Sequence, residues 1–349
     1  MLSLSCCSQD TFPAGIKIEK NVPMKKHTSF KVGGPADYFA RPSSLSELIH
    51  LMRSVGSIRV GNMTTQRTCS SSDNNIMPCT IIGSGTNILV KDRGIRGLVI
   101  SLVRMKNGIE MEDVDSGNVK VSASAGTILS SLCHKTIKLG LEDLSFAAGI
   151  PGTVGGAVMM NAGTGVGTIS DRLVSIDILD EDGNIRTLYK GYKGQENAQL
   201  IFSHRKLEFA SPFALPFKPT ILRVSFLLTK GSRQKVEESW VALIKKRRAS
   251  QPHGFPSAGC FFKNPDTAAA KHLVEADKPI VSAGQLIDMA GLKRKRVGDA
   301  TVSDKHANFI LNLGNATASE ILTLKNIVKE TVFEKFGVHL TEEVIIQGE

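Results

Sequence analysis

The run AAGIPGTVGGAVMMNAG, from Ala147 to Gly163, sets five glycines and one proline among small and β-branched residues. Glycine reaches positive φ and has no Cβ, so such a chain turns sharply and brings its main chain close to whatever it faces. Successive N–H groups in such a turn can converge on an anion such as a pyrophosphate. The run lacks the Lys-Ser/Thr ending of a Walker loop and does not read G-x-G-x-x-G. On turn chemistry alone, a glycine-rich turn with no ligand is an equal alternative.

The rest of the chain bounds the choice. Its 349 residues suffice for two or three domains, and 41% hydrophobic with 22% charged residues is an ordinary globular balance. No apolar run approaches the ~20 residues that span a bilayer. The N-terminal MLSLSCCSQDTFPAG has neither a basic region nor an apolar core, so no secretory signal is read there and a cytoplasmic location is expected. The net charge of +10 is densest at Lys245 to Arg248 and Lys293 to Arg296. No aromatic residues flank these clusters as a nucleic-acid stacking surface would need, so nucleic acid is not an expected partner. Solvated helix ends and turns are the plainer reading of such clusters. The cysteines, Cys6, Cys7, Cys69, Cys79, Cys133 and Cys260, match neither a zinc site nor a disulfide framework, and no metal is expected.

Hydrophobic periodicity organises the chain. A capping box, Ser44 and Glu47, predicts a helix through Arg53, and Ser54 to Cys79 reads as a long exposed loop. CTIIGSGTNILV, Cys79 to Val90, reads as strand, glycine turn, strand; Gly97 to Leu102 and Asn118 to Ser124 are further strands. Ile128 to Thr136 marks a helix ending at Gly140. Strands follow at Leu173 to Leu179, leading into a turn over Asp180 to Gly183, and at Ile221 to Leu228. A helix over Lys235 to Arg248 is expected to bury Val236, Trp240, Leu243 and Ile244 and to lead into a C-terminal domain. Thr317 and Glu320 cap a last helix through Phe336 with the stripe Ile321, Leu324, Val328 and Val332, ended by Gly337. The alternation predicts an α+β or mixed α/β architecture.

Seven segments, taken together and in order, carry a family resemblance. They are HTSFKVGGPADYF (from His27), GSGTNILVKDRGIRGLVI (from Gly83), the opening run, SAGCFFKNP (from Ser257), AGQLIDMAGLK (from Ala283), VSDKHANFILN (from Val302) and LTEEV (from Leu340). The chain resembles the UDP-N-acetylenolpyruvoylglucosamine reductase (MurB) family from about Ile16 to Gly348, in the shorter of its two types, type II. The resemblance implies a vanillyl-alcohol-oxidase-type FAD-binding fold of two α/β subdomains, at residues 16–105 and 106–234. A smaller α/β substrate domain then occupies 235–349. It implies NADPH-dependent reduction of UDP-N-acetylglucosamine enolpyruvate, a UDP-sugar, to UDP-N-acetylmuramate in peptidoglycan precursor synthesis.

Two glycine turns can then face one FAD diphosphate from two sides. The expected cofactor residues are Gly83, Ser84, Gly85, Thr86, Asn87, Ile88 and Leu89 from the first turn. From the second they are Gly149, Ile150, Pro151, Gly152, Thr153, Gly155, Gly156, Asn161 and Ala162. The plainer reading of their polar side chains is local turn capping. Reduction of the enolpyruvyl group builds an enolate, so the site needs a fixed cation near its carboxylate and an acid for its α-carbon. By position, Arg205 matches the family arginine and Glu343 the glutamate that polarises the enolate. Cys260 stands where the family usually has a proton-donating serine. A thiol, with a pKa near ~8.5, is a much stronger acid than a hydroxyl. A surface ion pair for Arg205 and Glu343, and an inert buried thiol for Cys260, are the plainer readings. Gln251, Lys263, Asn264 and His306 are candidates for the substrate's charged groups, and Arg248 with Lys293 to Arg296 for electrostatic attraction of it. The chain departs from the family's common residues at Gly165, His204, Leu207 and Arg294. The alternatives are a related flavoprotein with another substrate and a degenerate nucleotide-binding protein.

Overall fold

Short apolar segments separated by turns close into sheets, and the longer 3.6-periodic segments close as helices beside them. The computed structural model describes residues 12, 15–56, 77–105, 108–180, 182–191, 199–210, 219–266 and 282–349. The expected loop from Ser54 to Cys79 lies mostly outside the described residues. In chain order the first elements are β1 (Ile18–Pro23), β2 (Pro35–Ala40), α1 (Leu45–Ser54), β3 (Cys79–Ile82), β4 (Ile88–Val90) and β5 (Ile95–Ser101). Next come β6 (Ile109–Asp113), β7 (Asn118–Ser124), α2 (Leu129–Lys138), α3 (Val154–Met159), β8 (Gly163–Thr164), β9 (Gly167–Thr168) and α4 (Ile169–Arg172). They are followed by β10 (Leu173–Leu179), β11 (Ile185–Tyr189), β12 (Leu200–Ser203), β13 (Lys206–Phe209), β14 (Thr220–Thr229) and α5 (Arg233–Ser250). The last are α6 (Ala283–Met289), β15 (Arg296–Val297), β16 (Ala300–Val302), β17 (Ile310–Asn312), α7 (Ala318–Phe336) and β18 (Ile345–Gln347).

The chain divides into two compact units. The first comprises residues 1–20, 38–83 and 97–241. It is built on a five-stranded sheet in the order β11-β10-β14-β7-β6, whose neighbours are all antiparallel. Beside it β3 and β5 pair in parallel, Cys79 opposite Leu98 through Ile82 opposite Ser101. Parallel pairing needs a crossover between strands, which is why β3 and β5 are separated in sequence by a turn and β4.

The second unit comprises residues 21–37, 84–96 and 242–349. Its three-stranded sheet runs β15-β16-β17, and β4 pairs in parallel with β18 at the far end of the chain. One apolar cluster includes Phe30, Leu89, Phe261, Phe262, Leu286, Ile321, Leu324 and Val328. The long helix α7 follows its sequence signals closely. Thr317 and Glu320 form the reciprocal capping box, and Gly337 ends the helix at φ 66°. A further partner reaches its first turn from the GSGTNILVKDRG segment: Asp92 accepts from Ala318 and Ser319 N–H, both at 2.8 Å.

Two local expectations need correction. At α1, Ser44 accepts from Glu47 N–H as expected, but the Glu47 carboxylate reaches Ser43 N–H at 2.7 Å rather than that of Ser44, so the box is not reciprocal. On α5 only Val236 and Trp240 are buried; Leu243 and Ile244 are half-buried. The helix carries charge almost throughout, and the boundary between units falls within it, after Val241. Among the described residues, no helix is long and apolar enough to cross a membrane.

Candidate active site

The first glycine turn joins β3 to β4. Gly85 stands at φ 64°, and a Cβ there would overlap the His27 carbonyl oxygen, so glycine is required both by angle and by space. The Gly85 carbonyl accepts from Ser29 N–H at 3.0 Å. Gly83, in the first unit, packs against Thr153: a Cβ would overlap Thr153 Oγ1. Ser84 Oγ is buried and has no hydrogen-bond partner among the described residues. An unsatisfied buried hydroxyl is costly, which marks this position as one awaiting a partner. Nor does any described residue accept from the N–H groups of Gly83, Ser84, Gly85 or Asn87. These unused donors fit the acceptor oxygens of a dinucleotide diphosphate. Thr86 O accepts from Ser29 Oγ at 3.3 Å. Ile88 lies on β4 and is half-buried, while the Leu89 side chain belongs to the second unit's core.

The second glycine run is built differently. Gly149 and Gly152 take positive φ, 72° and 121°. Their N–H groups and that of Thr153 donate to no described residue, and Gly149 is exposed. Ile150 N–H donates to Ala147 O at 3.0 Å, and Pro151 has no N–H. In α3, however, Val154 and Gly155 N–H donate to Thr127 O (2.8 Å) and Ala125 O (2.9 Å), and Gly156 N–H to Thr153 Oγ1 (3.3 Å). Gly155 is needed for packing, since a Cβ would come within 2.7 Å of Ala125 Cβ. Ala162 N–H donates to Ala157 O, and its carbonyl accepts from Ile169 N–H. Asn161 is 8% exposed with both amide atoms engaged: Nδ2 donates to Ser203 O and Oδ1 accepts from Ser170 N–H, each at 3.1 Å. The run's ligand-facing capacity therefore lies in Gly149 to Thr153.

Asn161 fixes the hairpin that carries Arg205. Strands β12 and β13 pair from Leu200 opposite Phe209 to Ser203 opposite Lys206, leaving His204 and Arg205 as the turn. Arg205 is half-buried at φ 58°, a left-handed backbone that costs an L-residue about 1–2 kcal/mol. The departures beside it differ in kind: His204 is exposed, whereas Leu207 is 5% exposed and fills core.

In the second unit the other two candidates come together. Cys260 is half-buried and bridges Phe309, while Phe261 and Phe262 anchor the segment in the core. Phe261 N–H donates to Asn308 O at 2.7 Å, and Phe261 O accepts from Glu343 N–H at 2.8 Å. Cys260 and Glu343 thus sit on adjoining backbone segments. Asn308, 4% exposed, clamps Phe262 from both sides: Oδ1 accepts its N–H (2.9 Å) and Nδ2 donates to its carbonyl (2.8 Å). Sequence reading passed over Asn308; an amide inside the apolar run ANFIL was the available signal. Arg205 belongs to the first unit.

The candidate substrate residues divide. Lys263 N–H donates to Thr341 O at 2.8 Å, which brings LTEEV beside SAGCFFKNP. Asn264 Oδ1 accepts from Ala283 N–H at 3.2 Å, bracing the start of α6, and Gln251 N–H closes the end of α5 onto Arg247 O. His306 Nδ1 accepts from Asn308 N–H at 3.3 Å, which leaves Nε2 as the donor. Burial, with a smaller push from Lys293, holds its pKa below the ordinary value, so it offers a neutral donor at neutral pH rather than a cation. The 293–296 cluster is largely neutralised at close range: Lys293 pairs with Asp288 (2.5 Å), Arg294 with Asp304 (3.3 Å) and Arg296 with Asp299 (2.6 Å). Arg294 adopts φ 63°, an angle glycine takes without strain.

Comparison with known proteins fits this geometry. Residues 64–189 match the FAD binding domain family, and residues 251–347 match the C-terminal domain of UDP-N-acetylenolpyruvoylglucosamine reductase. Together they define a FAD-binding oxidoreductase. The chain is 38% identical over 334 residues to UDP-N-acetylenolpyruvoylglucosamine reductase of Desulfosudis oleivorans, covering 95% of each. It is 39% identical over 333 residues to that of Clostridium novyi, covering 95% of this chain and 93% of the other. The crystal structure of the reductase from Thermus caldophilus superposes with a TM-score of 0.68 at 30% identity, covering 95% of this chain and 100% of that one. The chain belongs to the UDP-N-acetylenolpyruvoylglucosamine reductase family of peptidoglycan precursor synthesis.

Proposed function

We propose that this protein reduces UDP-N-acetylglucosamine enolpyruvate to UDP-N-acetylmuramate with NADPH and FAD, as a cytoplasmic enzyme of the family's shorter type. We take residues 16–105 and 106–234 as its FAD-binding subdomains and 235–349 as its substrate domain. FAD, when bound, supplies the relay of hydride from NADPH to the enolpyruvyl β-carbon. The donors of Gly83 to Asn87 and of Gly149 to Thr153 hold the cofactor's diphosphate, with Ser84 Oγ adding a side-chain bond. The guanidinium of Arg205 pairs with the substrate carboxylate, its planar fork matching the two oxygens. Glu343 polarises the developing enolate, and Cys260 Sγ–H delivers the proton to the α-carbon, leaving a thiolate that solvent reprotonates. Lys263, the remaining amide of Asn264, Gln251 and neutral His306 Nε2–H bind the UDP-sugar's anionic and polar groups.

The observation that supports this reading most is the 2.8 Å hydrogen bond from Glu343 N–H to Phe261 O, which keeps an acidic thiol and a carboxylate on adjoining segments of one unit. The test is anaerobic stopped-flow absorbance. Flavin bound to the purified protein bleaches near ~450 nm with NADPH and recovers on adding UDP-N-acetylglucosamine enolpyruvate. In Cys260→Ala the bleaching persists and the recovery is lost. Protein that carries no flavin, or a variant that recovers at the wild-type rate, sinks the cofactor reading or the proton-donor role respectively.

A further inference from the structure

We infer that Asn87 is a positioning residue for Glu343, tying the glycine turn to the segment that carries the glutamate. This rests on the role proposed above for Glu343. Asn87 closes the turn immediately before β4, and its Nδ2 donates to the Glu343 carbonyl at 3.0 Å, across 256 positions of sequence. Its own carbonyl accepts from Ile345 N–H at 3.0 Å, and the pairing continues with Ile88 opposite Ile345, Leu89 opposite Ile346 and Val90 opposite Gln347. The chain after Glu343 is therefore zipped onto the strand that leaves the turn.

Glu343 is held from the other flank as well. Its N–H donates to Phe261 O at 2.8 Å, one residue from Cys260. Both main-chain polar groups of Glu343 are thus engaged, the N–H toward the cysteine segment and the carbonyl toward the turn. Rotation of the peptide planes flanking Glu343 swings its Cα–Cβ bond and with it the carboxylate. The bond from Asn87 restrains the plane on the C-terminal side. The other polar group of that plane, Val344 N–H, donates to Phe261 O only at 3.4 Å, so loss of the Asn87 donor loosens the plane while the strand beyond remains paired. A small displacement of a reacting group costs up to ~100-fold in rate.

Asn87 suits this task by shape and charge. Its amide presents a donor two bonds beyond Cβ, whereas Asp has the same outline, no donor, and a negative charge facing the Glu343 carbonyl. The reading also accounts for a residue in a predicted cofactor turn whose side chain reaches the main chain near the C-terminus.

The test compares Asn87→Asp, Asn87→Ala, Glu343→Gln and the double variant Asn87→Asp/Glu343→Gln with the full-length flavin-loaded protein. Flavin content and the rate of bleaching by NADPH are read first in every variant, and the rate of recovery is then taken per bound, reduced flavin. Recovery with saturating UDP-N-acetylglucosamine enolpyruvate slows about tenfold or more, with substrate affinity held within about threefold. The double variant recovers no more slowly than Glu343→Gln alone, because Asn87 acts through Glu343. In the flavin-free chain, amide exchange over residues 343–347 accelerates in both Asn87 variants. Asn87→Ala keeps the test open if the aspartate does not fold. Recovery at the wild-type rate per bound flavin, a multiplicative loss in the double variant, or unchanged amide exchange over residues 343–347 overturns the inference. If Glu343→Gln itself recovers normally, the proposed role of Glu343 fails first.

Discussion

In Gly83 to Asn87 a buried Ser84 hydroxyl and several N–H groups lack a protein partner among the described residues, whereas in Ala147 to Gly163 the helix donors and both atoms of the Asn161 amide are engaged. Both segments are glycine-rich, and both fall within the match to the FAD binding domain family. The difference lies in what replaces the missing side chains. Around Gly155 it is protein, with the Ala125 side chain against it, and in Gly149 to Thr153 it is main chain whose Gly149, Gly152 and Thr153 N–H groups donate to no described residue. Glycine content therefore marks where backbones come close, but only the pattern of unused donors separates a scaffold from a cradle.

The sharpest way to break that contrast is Asn161→Ala. Removing a buried amide leaves Ser203 O and Ser170 N–H without their partner, at a cost of about 2–3 kcal/mol in folding stability. Urea denaturation should show that loss while the folded fraction keeps its flavin stoichiometry. A stable variant that has shed flavin would make Asn161 a ligand contact and erase the difference between the two segments. Ser84→Ala is the converse experiment. With no protein partner to lose, it should leave stability unchanged or slightly higher and weaken flavin binding about tenfold, or ~1.4 kcal/mol, measured by fluorescence titration of the flavin-free chain.

Acid should also act unequally on the two. Burial raises the pKa of Glu342, but hydrogen bonds from Lys329 (2.9 Å), its backbone and Lys325 (3.1 Å) outweigh that and hold it below its ordinary 4.5. A depressed carboxyl stabilises the fold fully above the unfolded value and loses that contribution as pH falls through the folded one. Glu342 precedes Glu343, which Asn87 holds, so the first turn is linked to a charge-dependent segment. Asn161 holds its segment with a neutral amide. Amide protection over 343–347, corrected for intrinsic exchange, should fall below pH 4.5 while that of Ser170 holds. Parallel loss at both would show that the two turns share one stability.

Much of this was legible in the chain. Helix α7 was readable from Thr317, Glu320 and Gly337 because caps and periodicity are local signals. The edges of β7 and β10 fell where alternation put them. What escaped were long-range pairings. Asp92 capping α7, Asn308 clamping Phe262 and Asn87 reaching Glu343 join residues whose neighbourhood exists only after folding. The same holds for α1, where Glu47 chose the donor of Ser43 over that of Ser44, and for Leu243 and Ile244, whose helical spacing promised more burial than a charged helix crossing a unit boundary provides. Site residues were legible as motif positions, and their division into cradle and scaffold was not, because unused donors have no sequence signature.

Arg294 isolates the angular part of the glycine requirement. The GLK-Arg stretch keeps a left-handed φ of 63° without glycine, its N–H donating to Val302 O at 3.0 Å. Its side chain is 82% exposed, and its pairing with Asp304 at 3.3 Å is of the surface kind that contributes little. Arg294→Gly should therefore gain stability by about 0.5–1 kcal/mol, the relief of the left-handed backbone exceeding the added freedom of glycine in the unfolded chain. Thermal and urea unfolding would read the gain. A loss of that size instead would mean that the ion pair, and not the backbone angle, governs this turn. The glycines of the two cofactor segments would then have to be weighed by the space they leave, as at Gly83 and Gly155, before the angle they adopt, as at Gly149 and Gly152.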